Sequence, residues 1–227
     1  MNQPKERPIL FRGEMVNAIL DGRKTQTRRA IKPQPEQPSE GSYFDAYNGG
    51  PQWNWWSPDH KQYLSQIIKC PYGKPSDRLW VRETFQGPLV SNELAEELYE
   101  DNSKFQNPEY FEYRADGGPT PVYVDSDGNE RHGWKPSIFM PRWASRLLLE
   151  ITDVRVERLQ DISEEDARAE GVTPEYLGHN DPEGDAWECR RKFNDLWQSI
   201  NGPDSWSANP WGWVVEFKGC SHDQRIR

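Results

Sequence analysis

A mixed α+β fold built from short strands and short helices is predicted for this chain of 227 residues. Three observations predict it. Apolar runs of strand length, such as Leu79-Trp80-Val81 and Trp213-Val214-Val215-Glu216-Phe217, recur from one end to the other. Helical spacing of apolar residues is confined to short segments. Strands stand before, between and after these helices, which suits a small mixed sheet or barrel and not a doubly wound sheet. Only 34% of residues are hydrophobic, yet 12% are aromatic and 11 are tryptophan, so the core is expected to be aromatic-rich. That aromatic content excludes a wholly disordered chain.

The elements follow in order. Residues 8–12, Pro-Ile-Leu-Phe-Arg, read as a first strand. Glu14 to Asp21 read as a two-turn helix with Met15, Val16, Ile19 and Leu20 on one face. Gly22 stands where a helix C-cap is needed, and Lys24 to Ile31 read as a strand. From Pro33 to Pro58 the density of proline and glycine predicts a loop, within which Trp53, Trp55 and Trp56 dock on the core. Lys74-Pro75-Ser76-Asp77 is a turn, followed by a buried strand from Arg78 to Phe85. An acidic helix is expected at Ser91–Glu100. Thr120–Val124 is expected to be a strand ending at the turn Asp125-Ser126-Asp127-Gly128. Arg142–Val156 is the longest strand-like stretch. Ser163 caps a short helix, Asp166 completes a capping box, and Gly171 stops it. Residues 187–200 form an amphipathic helix with Trp187, Phe193, Leu196, Trp197 and Ile200. Trp211–Phe217 is a closing strand.

Charge and cysteines narrow the function. The net charge of -9 excludes indiscriminate coating of duplex DNA. Residues 1–35 nevertheless carry eight lysines and arginines against three carboxylates, which suits a focused site for a small anion, a nucleotide or a short RNA. No long apolar run predicts a membrane span. The odd set Cys70, Cys189 and Cys220, without a Cys-x-x-Cys pair, reads as reduced thiols in a cytoplasmic protein rather than as a metal site, and no cofactor is expected.

Lys24, Thr27 and Arg29 form one polar set, directly after the helix stop. Glu170, the last acid of the capped helix, is the other. A lysine beside a threonine hydroxyl is one way to build a nucleophile, and a carboxylate at the negative end of a helix can serve as general acid or base. In a regular strand Lys24 and Thr27 would face opposite sides, so the two can work together only if Lys24 lies in the turn and the strand starts later.

The order of these pieces resembles the ASCH family, whose fold is similar to the PUA domain of RNA-modifying enzymes. The resemblance rests on Ile19-Leu20-Asp21-Gly22-Arg23-Lys24-Thr25-Gln26-Thr27, on Lys74 to Val81, on Leu149 to Glu170 and on Trp213 to Phe217. These segments and their surroundings cover about half of the chain. The resemblance implies a small PUA-like β-barrel with short flanking helices. It implies a single domain over residues 1–227, with loop-rich insertions at about 33–68 and 86–134. A small bacterial member of that family removes the acetyl group from N4-acetylcytidine with a lysine, a threonine and a glutamate. Those positions match Lys24, Thr27 and Glu170, which implies an amidohydrolase acting on a modified nucleoside. Arg29, Arg28 and the tryptophans Trp53, Trp55 and Trp56 are the expected substrate-binding residues. The whole pattern, including Lys135 to Arg146, also looks like larger ASCH-like proteins of prophages. Two alternatives stay open: a non-catalytic reader of RNA or nucleotides, and a phage accessory protein that binds a host partner. The state of Lys24 separates enzyme from reader. An enzyme needs it buried and partly neutral, a reader needs it charged and exposed.

Overall fold

The computed structural model describes residues 3–36, 39–40, 42–46, 52–59, 61–62, 67–125, 128–174 and 184–220, without the side chains of residues 43 and 184–187. Along the chain run β1 (Glu6–Leu10), α1 (Gly13–Leu20), β2 (Gln26–Ala30), β3 (Tyr43–Ala46), β4 (Gln52–Trp56), β5 (Ile68–Lys69), β6 (Arg78–Arg82) and β7 (Phe85–Gln86). Then come α2 (Ala95–Glu100), β8 (Glu112–Tyr113), β9 (Val122–Val124), β10 (Glu130–His132), β11 (Leu148–Arg158), α3 (Glu164–Ala169), α4 (Gly184–Asn201) and β12 (Trp211–Gly219). The fold is therefore mixed α and β, with several small sheets and few helices. Among the described residues no sheet closes into a barrel. No described helix is long and apolar enough to cross a membrane.

The chain packs as two compact units interleaved in sequence. The first unit comprises residues 1–5, 21–77 and 150–218, and the second residues 6–20, 78–149 and 219–227. In the first, β12 lies between β11 and β2. β2 and β12 are antiparallel, with Thr27 opposite Val215 and Arg28 opposite Val214. Helices α3 and α4 bury Leu159, Ile162, Ala167, Cys189, Phe193 and Trp197 between them. The turn before β6 is held by Asp77, whose carboxylate accepts from the N–H groups of Lys5 and Lys74 at 3.0 and 3.3 Å.

The stretch read as a loop from Pro33 to Pro58 holds two strands instead. β3 and β4 pair with Phe44 opposite Trp55 and Ala46 opposite Trp53, and β5 extends the sheet. Aromatic residues at alternate positions fit a pleated surface, and this preference outweighs the flanking glycines and prolines. Trp53 stands edge-on to Trp213 at 4.9 Å, and Trp55 packs on Phe44 at 5.3 Å and on Trp211 at 5.9 Å. Trp53 and Trp55 are buried at 4% and 2% exposure, so docking occurs as expected, but as a core.

In the second unit β1 and β6 are parallel, and Phe85, Phe111, Tyr113, Met140 and Ala144 make a core. β9 is the strand expected at Thr120–Val124, and it pairs with β10 as a hairpin; Ser126 and Asp127 of the expected turn lie outside the described residues. The long strand begins at Leu148, not at Arg142, because Arg142–Ala144 coil into a single 3-10 turn after Pro141. Ala144 is fully buried there, and Ser145 Oγ donates to the Val81 carbonyl at 2.8 Å, which anchors the turn.

Candidate active site

Two local features bring Lys24 and Glu170 together. Gly22 takes a φ of +72°, ending α1 and turning the chain back. Strand β2 starts only at Gln26, so Lys24 lies in the connection and the parity of the strand does not reach it. Thr25 marks the break. Its N–H bonds the Ala169 carbonyl, while its own carbonyl accepts from Phe217 N–H, both at 2.8 Å. A residue in a regular antiparallel ladder exchanges both bonds with one partner. On the other side, Ser163 and Asp166 form the expected capping box, α3 runs six residues, and Gly171 at φ +91° closes it. Glu170 ends that helix and bridges Lys24 as an isolated antiparallel pair.

The pair is buried, with side-chain exposures of 0% for Lys24 and 4% for Glu170. Lys24 Nζ donates to both Glu170 Oε2 and the Glu170 carbonyl at 2.8 Å. Burial pushes the Lys24 ammonium below its ordinary pKa. The Glu170 carboxylate pulls it back up, and the charges of Arg29 and then Arg28 lower it again. The second oxygen of Glu170, Oε1, has no hydrogen-bond partner among the described residues and faces Arg28 Nη1 at 3.9 Å.

Gln26 and Arg28 share the face of β2 that meets α3. Gln26 Nε2 donates to the Asp166 carbonyl at 3.2 Å, and Arg28 Nη2 donates to Glu157 at 2.5 Å and Asp166 at 3.0 Å. Arg155 ties the same acids together, binding Asp166, Glu157 and Glu216. Burial raises the Asp166 carboxyl, but Arg28, the Ser163 N–H and Arg155 outweigh it and hold the group below its usual value. Arg28 is thus a buried strut of an ion-pair network.

Thr27 is buried in the middle of β2, at 3% exposure, and strand alternation puts it on the same face as Arg29. Arg29 is half-buried and reaches a cleft of about 640 Å³. Trp53, Trp55 and Trp56 do not line that cleft; Trp53 and Trp55 pack in the core and Trp56 is half-buried. The sequence reading missed Asp166, Glu157 and Arg155 as partners of this region. The capping box had marked Asp166, but only for its helix.

Cys70 and Cys189 are buried free thiols and Cys220 is partly exposed; His222 lies outside the described residues. Among the described residues no three of His, Cys, Asp or Glu gather into a metal-binding group. No family profile, curated protein or solved structure matches this chain.

Proposed function

We propose that this chain is an ASCH-type, PUA-like protein that binds a modified nucleoside or a short RNA and hydrolyses an acyl amide on the base, as on an N4-acylated cytidine. The observation that carries the reading is the burial of Lys24 with its Nζ on Glu170, brought from 146 residues away. A lysine that only reads a phosphate backbone is expected at the surface. A lysine pushed toward its neutral amine by burial is suited to take a proton.

In this reading the neutral Lys24 takes the proton of Thr27 Oγ, and the oxygen attacks the acyl carbon. The C–N bond breaks as the exocyclic nitrogen receives a proton relayed through Glu170. Water then cleaves the threonine ester, releasing the carboxylic acid and returning the proton to the threonine oxygen. That β2 starts only at Gln26 supports this reading, since strand parity then does not fix the side of the sheet on which Lys24 lies. The sheet of β11, β12 and β2 would be the part of this fold that corresponds to a barrel wall in the family.

Incubation of the purified protein with a panel of acylated nucleosides, followed by mass spectrometry, tests the reading. Loss of the acyl group from at least one, abolished in Thr27→Ala with the fold intact, is the expected result. A panel left unchanged both as nucleosides and as their 5′-monophosphates sinks the hydrolase, and turnover that survives Thr27→Ala removes the threonine from the mechanism.

A further inference from the structure

The cleft that Arg29 enters has a chemistry of its own. Arg29, Lys32 and Lys69 line it, with Tyr72 and Trp213 as its aromatic walls. On a chain of net charge -9 its described lining holds no aspartate or glutamate. Lys32 and Lys69 are exposed, and among the described residues neither is in an ion pair. Exposed cations at one cleft, such as Lys32 and Lys69, repel one another, a cost that an anionic ligand relieves.

The lip of this cleft is fixed in place. Gln34 Nε2 donates to the carbonyls of Ile31 and Trp211 at 2.7 and 2.9 Å, and Gln34 Oε1 accepts from Trp211 N–H at 2.7 Å. The backbone N–H of Ile31 bonds the Trp211 carbonyl at 2.9 Å as well. Residues 31–34 are therefore clamped on β12, and the backbone carrying Lys32 is preorganised. Arg29 connects this cleft to the buried pair, since its charge acts on both Tyr72 and Lys24. The volume of about 640 Å³ lies within the range of small-molecule sites.

We infer that this cleft is an anion subsite for the phosphate of a mononucleotide, held by Arg29, Lys32 and Lys69, so that the substrate is a nucleoside phosphate and not a free nucleoside. The inference rests on the proposed nucleoside chemistry at Lys24 and specifies its substrate class. An aromatic wall beside three cations suits a base or ribose joined to a compact dianion.

Titration calorimetry with cytidine, cytidine 5′-monophosphate, inorganic phosphate and a short single-stranded oligoribonucleotide tests it at low ionic strength. The monophosphate should bind at least about tenfold tighter than cytidine, the scale of one charge-assisted hydrogen bond. The double variant Lys32→Gln/Lys69→Gln, at exposed positions, should keep its fold and its affinity for cytidine and lose that preference. Inorganic phosphate should compete with the monophosphate. Equal affinity for both ligands, no binding of either, or a preference that survives in the double variant overturns the subsite. Tight binding of the oligoribonucleotide alone overturns it too and assigns the cleft to an RNA backbone. Because these ligands carry no acyl group, failure of hydrolysis leaves the binding result standing. Hydrolysis of free acylated nucleosides without a phosphate preference defeats this inference alone.

Discussion

Replacing Lys24 by methionine probes the buried pair most directly. Methionine keeps the length of the side chain and removes the charge and the donors. At 2.8 Å and an effective dielectric of about 20, the attraction between Lys24 and Glu170 is about 6 kcal/mol before desolvation is counted. Desolvation consumes much of this in the intact protein, so the pair itself adds little net stability. Removing one partner is different. Lys24→Met strips the donor from Glu170 Oε2 and from the Glu170 carbonyl, in a carboxylate whose Oε1 has no hydrogen bond among the described residues and only Arg28 Nη1 at 3.9 Å. A charge left buried and unpaired costs about 3–5 kcal/mol. Urea unfolding at pH 7, followed by tryptophan fluorescence and circular dichroism together, measures the loss. The double variant Lys24→Met/Glu170→Leu should recover most of it, because neither charge of the pair remains, and should still lack turnover. A loss below about 1 kcal/mol in the single variant, the scale of exposed pairs, would refute a charged buried pair.

Three further outcomes are expected. Turnover should rise with pH as Lys24 loses its proton, through an apparent pKa below the ordinary 10.5, and Arg29→Gln should move that profile to higher pH by removing a charge that holds the lysine down; a profile unmoved by Arg29→Gln would separate the two residues. Asp166 is held below its ordinary 3.8, so its contribution to stability is present above that value and is lost as pH falls through the lower folded pKa. Arg28→Gln should therefore raise the midpoint of acid unfolding, read by circular dichroism, and an unchanged midpoint would show that Arg28 does not support Asp166. Ser163→Ala removes the cap of α3, whose Oγ accepts from Asp166 N–H at 3.0 Å, and should lower stability by about 1 kcal/mol in urea titration; no loss would mean that α3 is held by packing alone.

Much of this architecture is written in short-range chemistry. The capping box at Ser163 and Asp166, the stop at Gly171, the glycine after α1 and the apolar spacing of α4 depend on neighbours within a few residues, so the sequence determined them by itself. The same holds for β12, whereas the single strand expected from Arg78 to Phe85 is divided between β6 and β7. The density of proline and glycine around Trp53 and Trp55 predicts a loop, because local breakers hide a strand pairing completed by the rings of Trp211 and Trp213. The turn at Arg142 likewise needed its burial contacts to be seen.

At the site, the sequence named Lys24, Thr27 and Glu170 through a resemblance, and residue types alone made them no more than candidates. Tertiary structure decided that Lys24 meets Glu170, that Arg28 is spent on Asp166 and Glu157, and that Arg29, and not Trp53, Trp55 or Trp56, lines the cleft. The physical reason is distance along the chain. Local rules act over one or two turns, whereas the bridge between residues 24 and 170 forms only when α3 docks beside the start of β2, and the burial that lowers the lysine's pKa exists only in that docked state.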